Sequence, residues 1–280
     1  MLVHSIPVDK LSVRIYSEEN NLFIVRAIQG AEAMTKEGEH DGLFTVERIH
    51  LLPGDSGYAE IAEAVARCYQ RTFGTSPAWH EGWMCPASGQ EGTCPVYGLE
   101  DGNRPGECHD HHLPLVLFWP VEKVMRDMQA ELSRVGAVWA AAHINGAVVG
   151  ATWGFPMTAE ELEEHLGKPG FAVTLAREFH DQQKFLYCDE IFVDPEHQGQ
   201  GIATQLFYER LIGLVESTSQ AQACILRTKR GHGEQAAKTY NWYTSDKLGF
   251  RVVAEYGDER DRVVLGQFVN QIPARHRRVA

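Results

Sequence analysis

Two glycines, Gly199 and Gly201, stand between Asp194-Pro195 and an apolar-periodic run that begins at Ile202. That order predicts a strand ending near Val193, a short loop and a helix. The first amides of a helix lack intrahelical partners and lie at the positive end of its dipole, so they attract an anion. Glycine removes the Cβ that would hold a phosphate away from the backbone. The stretch Gln198-Gly199-Gln200-Gly201-Ile202-Ala203 is therefore read as a pyrophosphate cradle. It has no third glycine at dinucleotide-fold spacing and no Gly-Lys-Ser/Thr, so neither of those nucleotide-binding patterns applies.

A second set of reactive side chains lies in the loop-rich stretch 74–114. Cys85, Cys94 and Cys108 are followed by His109, His111 and His112. Cys108 and His111 have an acceptable spacing for a zinc pair, and Cys85, Cys94, Cys108 and His111 could make a four-ligand structural site. The half-sites Cys85-Pro-Ala-Ser-Gly and Cys94-Pro-Val-Tyr-Gly resemble zinc knuckles in which Ser88 and Tyr97 replace the second cysteine. Free thiols beside solvated histidines, or a disulfide, are the alternatives. Cys68, Cys188 and Cys224 fall in apolar-patterned segments and are read as buried thiols.

Between these groups the hydrophobic pattern predicts the elements that must position them. Leu11, Val13 and Ile15 alternate, as do Phe23, Val25 and Ala27, which suggests a hairpin within an N-terminal extension, residues 1–42. A strand follows over 43–51, then a helix over 58–73. A second helix carries Val121, Val124, Met125, Met128, Leu132 and Val135. Asn145-Gly146 joins strands 138–144 and 148–155, and Thr158 to Glu161 forms a capping box. Further elements are a helix over 171–182, a strand over 185–193, a helix over 202–216, a strand over 223–228 and a helix over 234–247. Two closing strands and a basic tail, 271–280, complete the chain. This order is an α/β fold with a mixed, partly antiparallel sheet and helices on both faces.

The chain has 280 residues, 44% of them apolar and 23% charged, with a net charge of −12. This describes a globular protein with no basic excess for nucleic acid. It has no apolar run of roughly 20 residues for a membrane span, and its first residues lack the pattern of a signal peptide. A cytoplasmic protein with neither nucleic-acid nor membrane partners is the expectation.

Val193-Asp194-Pro195, Gln198-Gly199-Gln200-Gly201 and Leu248-Gly249-Phe250, in that order among these elements, resemble the signature of the GNAT superfamily of N-acetyltransferases. The resemblance spans a domain over 43–270, with the Cys/His-rich insert 74–114 outside the family pattern. It implies a sheet splayed at the cofactor strand. It also implies acetyl-CoA, with the pyrophosphate on the amides of Gly199, Gln200, Gly201, Ile202 and Ala203 and Gln198 reaching back to it. The pantetheine would pair with the main chain at Ile191 and Val193, and the Val193 N–H would polarise the thioester carbonyl.

The implied reaction is direct attack of an amine on the thioester, which needs a base for the amine and an acid for the thiolate. Glu190 is the expected base, with Asp189 as the fallback; successive strand residues would point to opposite faces. Ser245 stands where family members often carry the acidic Tyr, so Tyr243, in the same helix, is the expected acid and core packing is its alternative. Arg227, Lys229 and Arg230 flank the next strand. The expected acceptor is a small-molecule amine, walled by the insert with Trp79, Trp83 and Trp119. A non-catalytic acyl-CoA sensor and a zinc-stapled interaction module on a degenerate transferase fold are the alternatives from other classes.

Overall fold

The structure, a computed structural model, describes residues 13–18, 21–26, 44–75, 81–87, 94–180, 182–218, 220–230, 234–257 and 261–273. Residues 1–41 and 42–280 form two separate units. In the first, β1 (Val13–Glu18) and β2 (Asn21–Arg26) pair antiparallel in a hairpin. Leu11 and Ala27 lie outside the described residues.

The second unit opens with β3 (Thr45–Ile49), α1 (Tyr58–Thr75), β4 (Trp83–Met84), β5 (Val116–Leu117) and α2 (Val121–Leu132). Next come β6 (Val138–Ile144), β7 (Ala147–Thr158), α3 (Ala159–Leu166), α4 (Phe171–Glu178) and β8 (Lys184–Val193). It closes with α5 (Ile202–Ser217), β9 (Ala223–Lys229), α6 (Glu234–Thr244), β10 (Arg251–Glu255) and β11 (Arg262–Phe268). Seven strands make one sheet in the order β10-β11-β9-β8-β7-β6-β3. Every neighbour pair is antiparallel except β8–β9, which is parallel.

Alternation along the strands buries both faces. Ala151, Trp153, Phe155 and Met157 of β7 pack under α1 and α2 at one end and under α3 and α4 at the other. On the opposite face Val138, Leu186, Cys188, Cys224 and Leu226 pack under α5 and α6. The predicted local signals hold. Asn145 and Gly146 both have positive φ, 51° and 79°, as a tight primed turn requires. Thr158 accepts from the Glu161 N–H while Glu161 accepts from the Thr158 N–H, closing the capping box. The stretch 74–114 is not wholly irregular. Its ends run into the β4–β5 pair, and Trp83 bridges Tyr97 on the other side.

Candidate active site

Strands β8 and β9 pair only at Leu186–Cys224 and Tyr187–Ile225; beyond that point the two strands have no paired residues. The sheet therefore forks. The Asp194 N–H donates to the Val149 carbonyl of β7 at 2.8 Å. Successive strand residues turn their polar groups to opposite edges, so the N–H groups of Val193 and Ile191 face the fork. The Val193 carbonyl also faces that edge, where it accepts from Gln198 Nε2 at 2.9 Å. Gln198 thus closes the loop against the strand end. The reason is geometric: a 3-10 turn over Pro195–His197 brings Gln198 back to the strand it has just left.

Gly199 and Gly201 have φ of 79° and 84°, and Gly201 is the N-cap of α5 with no side-chain cap on the helix. A Cβ added to either glycine would meet no heavy atom within 4 Å. Backbone conformation, not packing within the protein, calls for glycine here, and open space lies in front of the loop. Gly199, Gln200 and Gly201 are exposed, Ile202 is buried and Ala203 is half-buried. Asp194 ties this corner to α1 through Arg71 Nε at 3.0 Å and caps the 3-10 turn through Glu196 N–H.

The two candidate bases do not point to opposite faces. A bulge in the β7–β8 ladder pairs Trp153 with Glu190 and Gly154 with Cys188, leaving Asp189 over. Gly154 permits it, since a Cβ there would lie 2.4 Å from the Tyr187 carbonyl oxygen. Both carboxylates consequently face α1 and α2. Glu190 accepts from the Tyr69 hydroxyl at 3.4 Å, and Asp189 sits beside Glu131 of α2. Glu131 in turn accepts from Trp153 Nε1 at 2.6 Å. Burial and the Asp189 charge push Glu190 up to about 8, with Arg227 opposing, and push Glu131 up to about 9.

The carbonyl of Glu190, freed by the bulge, accepts from Thr152 Oγ1 at 2.7 Å and from Arg210 Nη1 at 2.8 Å. Arg210 is wholly buried in α5, beside Tyr243, Cys188 and Cys224. Tyr243 is 3% exposed and packs on Phe207, Trp242 and Phe250, so the predicted core packing is real. Cys188 is the first β8 residue past the last paired position, so its neighbour Tyr243 also lies at the fork apex, on the face opposite Glu190. Burial raises its hydroxyl well above the ordinary range while Arg210 opposes. Ser245 donates to the Trp242 carbonyl at 2.7 Å.

On the carboxylate face, Glu81 accepts from Trp119 Nε1 at 2.8 Å and pairs with Lys229 of β9 at 3.7 Å. Trp119 stands edge-on to Tyr69, with ring centroids 5.4 Å apart. Arg227 is near Asp189 and Tyr187, whereas Arg230 pairs with Glu255 and Asp261 away from these groups. Trp79 lies outside the described residues. Sequence reading missed Glu81, Glu131, Arg210, Tyr69 and His165. For two of them the signal was present: Glu131 and Arg210 are charges on the apolar stripes of their helices, three after Met128 and four after Leu206. His165, which burial holds low, shares the Asp189 neighbourhood but stacks edge-on against Tyr187.

Cys85, Cys94, Cys108 and His111 converge. Their ligand atoms all lie within 4.8 Å of one another, and the three thiols are buried. His109 is exposed, as is His112. All six cysteines are free and buried. No helix among the described residues is long and apolar enough to cross a membrane.

Comparison with known proteins gives one family match: the model of the acetyltransferase (GNAT) family matches residues 107–240. No curated protein matches the chain. Similar solved structures include an acetyltransferase of the GNAT family from Streptococcus pneumoniae, at 13% identity and a TM-score of 0.42 over 81% of this chain and 99% of that one. The polyamine N-acetyltransferase of Drosophila melanogaster is 11% identical, with a TM-score of 0.45 over 81% of this chain and 100% of that one. An N-acetyltransferase from Thermoplasma acidophilum in complex with coenzyme A is 12% identical, with a TM-score of 0.42 over 80% and 99%.

Proposed function

We propose, from the match of residues 107–240 to the model of the acetyltransferase (GNAT) family, that the protein moves acetyl from acetyl-CoA to a primary amine of a small molecule. The observation that carries this reading is the fork: main-chain N–H groups of Ile191 and Val193 on one strand edge, with Glu190 on the same strand beside them. An uncapped helix start behind two positive-φ glycines supports a pyrophosphate at Gly199, Gln200, Gly201, Ile202 and Ala203. The Val193 N–H is suited to stabilise charge on the carbonyl oxygen.

In this reading Glu190 accepts the proton that the amine loses as its nitrogen bonds to the acetyl carbon. As the carbon–sulfur bond breaks, Tyr243 gives its hydroxyl proton to the thiolate and regains one from solvent. Arg210 and Thr152 act as positioning residues, since both hold the Glu190 carbonyl and so fix the bulge. Glu81 and Asp189 on one face suit an acceptor that arrives as a cation. Tyr243→Phe is expected to lower kcat about 10²-fold, the low end for acid catalysis, with acetyl-CoA affinity unchanged. Full kcat in that variant would return Tyr243 to the core alone.

The test of the whole reading is release of free CoA from acetyl-CoA across a panel of polyamines, amino sugars and amino acids. Turnover with one amine class supports it. Tight acetyl-CoA binding with no turnover by any amine would favour the sensor reading, which Ser245 in place of the usual Tyr already recommends.

A further inference from the structure

The described residues of the insert between α1 and α2 hold almost no apolar core of their own. Their buried cluster is Cys85, Cys94 and Cys108, with only Ala87 and Leu115 packed against it. A segment of this size cannot fix a loop conformation on so little buried carbon, and small modules in that position use a metal or disulfides. The thiols are free, so no disulfide does so.

Four of the six separations among the ligand atoms are close to those around a tetrahedral ion, and all six lie within 4.8 Å. Bonds of ~2.3 Å to sulfur and ~2.0–2.1 Å to nitrogen at tetrahedral angles put sulfurs ~3.8 Å apart and sulfur and nitrogen ~3.6 Å apart. His111 Nδ1 lies 3.2 Å from Cys94 Sγ, 3.6 Å from Cys108 Sγ and 3.7 Å from Cys85 Sγ, and Cys94 Sγ lies 3.6 Å from Cys108 Sγ. The backbone holds two of the donors in one tight turn. The Cys108 N–H donates to the Leu113 carbonyl at 2.8 Å and the His112 N–H to the Cys108 carbonyl at 2.9 Å. His112 takes the positive φ that this turn needs, 53°.

We infer that Cys85, Cys94, Cys108 and His111 bind one zinc ion in a closed structural site that folds the insert against the catalytic domain. Three thiolates and one imidazole favour zinc over the hard cations. Four protein ligands leave no open position, so the ion takes no part in acetyl transfer. Its effect reaches the fork through the β4–β5 pair. Cys85 follows β4 directly and Leu115 precedes β5, and at the other end of this ladder stand Glu81 and Trp119. The inference does not depend on the acetyltransferase reading.

The test is metal analysis of the full-length protein purified without chelator. About one zinc per chain is expected, and cobalt replacement should give the intense visible bands of tetrahedral sulfur coordination. Cys108→Ser and His111→Ala should each cut zinc content several-fold. Should either variant fail to fold, thiol alkylation of the wild type decides instead: zinc should protect three thiols from a reagent that reaches them after chelation. Zinc-free protein that also fails to take up added zinc, or thiols equally reactive with and without chelator, would overturn the site.

Discussion

Glu190→Gln is expected to lower kcat by about 10²- to 10⁴-fold, the range for removing a general base. The amide is isosteric and can still accept from the Tyr69 hydroxyl, so the fold and acetyl-CoA binding should survive. The pH profile adds a sharper reading. Because burial and Asp189 raise Glu190 to about 8, the base is mostly protonated at neutral pH. The wild-type rate should therefore climb with pH and level off above about 8, as the carboxylate forms. The variant should lose that limb and keep only the slope from the acceptor amine's own ionisation. Parallel profiles in wild type and variant, with full kcat, would move the base to Asp189 or Glu131.

The second large effect is on the donor. Gly201→Asn is expected to weaken acetyl-CoA binding at least about tenfold, or ~1.4 kcal/mol, with little change in Tm. Asn tolerates the left-handed backbone better than other side chains do, and nothing in the protein would collide with its Cβ. The side chain would instead occupy the space before the α5 amides. Gly201→Val adds a real backbone penalty, of order 1–2 kcal/mol, and should lower Tm as well. The comparison separates two roles for the glycine. If Gly201→Asn bound acetyl-CoA as well as wild type does, Gly201 would be a turn residue only.

The core elements could be read from the chain because their signals are local. The Asn145-Gly146 turn, the Thr158 capping box and the apolar stripe of α1 each sit within a few residues of what they determine. The strand predicted over 43–51 is shorter, Thr45–Ile49, and the helix predicted over 171–182 stops at Glu178, since boundaries depend on packing. The carboxylate pair was misread for a different reason. One extra residue in β8 reverses the facing of every side chain beyond it. The bulge depends on Gly154 of the neighbouring strand, 35 residues away from Asp189. The bond from Gln198 to the Val193 carbonyl could not be read from the sequence, because that carbonyl is open only where the sheet forks.

For Tyr243 the structure shows the core packing, and the acid role stays a proposal. It packs in an aromatic cluster, as its helix pattern implied, and it also lies by Arg210 at the fork apex. Cys85, Cys94, Cys108 and His111 converge although the knuckle pattern around them is broken, with Tyr97 instead bridging Trp83.

The central claim is that the fork and glycine loop form an acetyl-CoA site, and calorimetric titration of the wild-type protein with acetyl-CoA tests it most directly. The account predicts saturable binding of one acetyl-CoA per chain, competed by free CoA. Absence of binding in folded protein would contradict it.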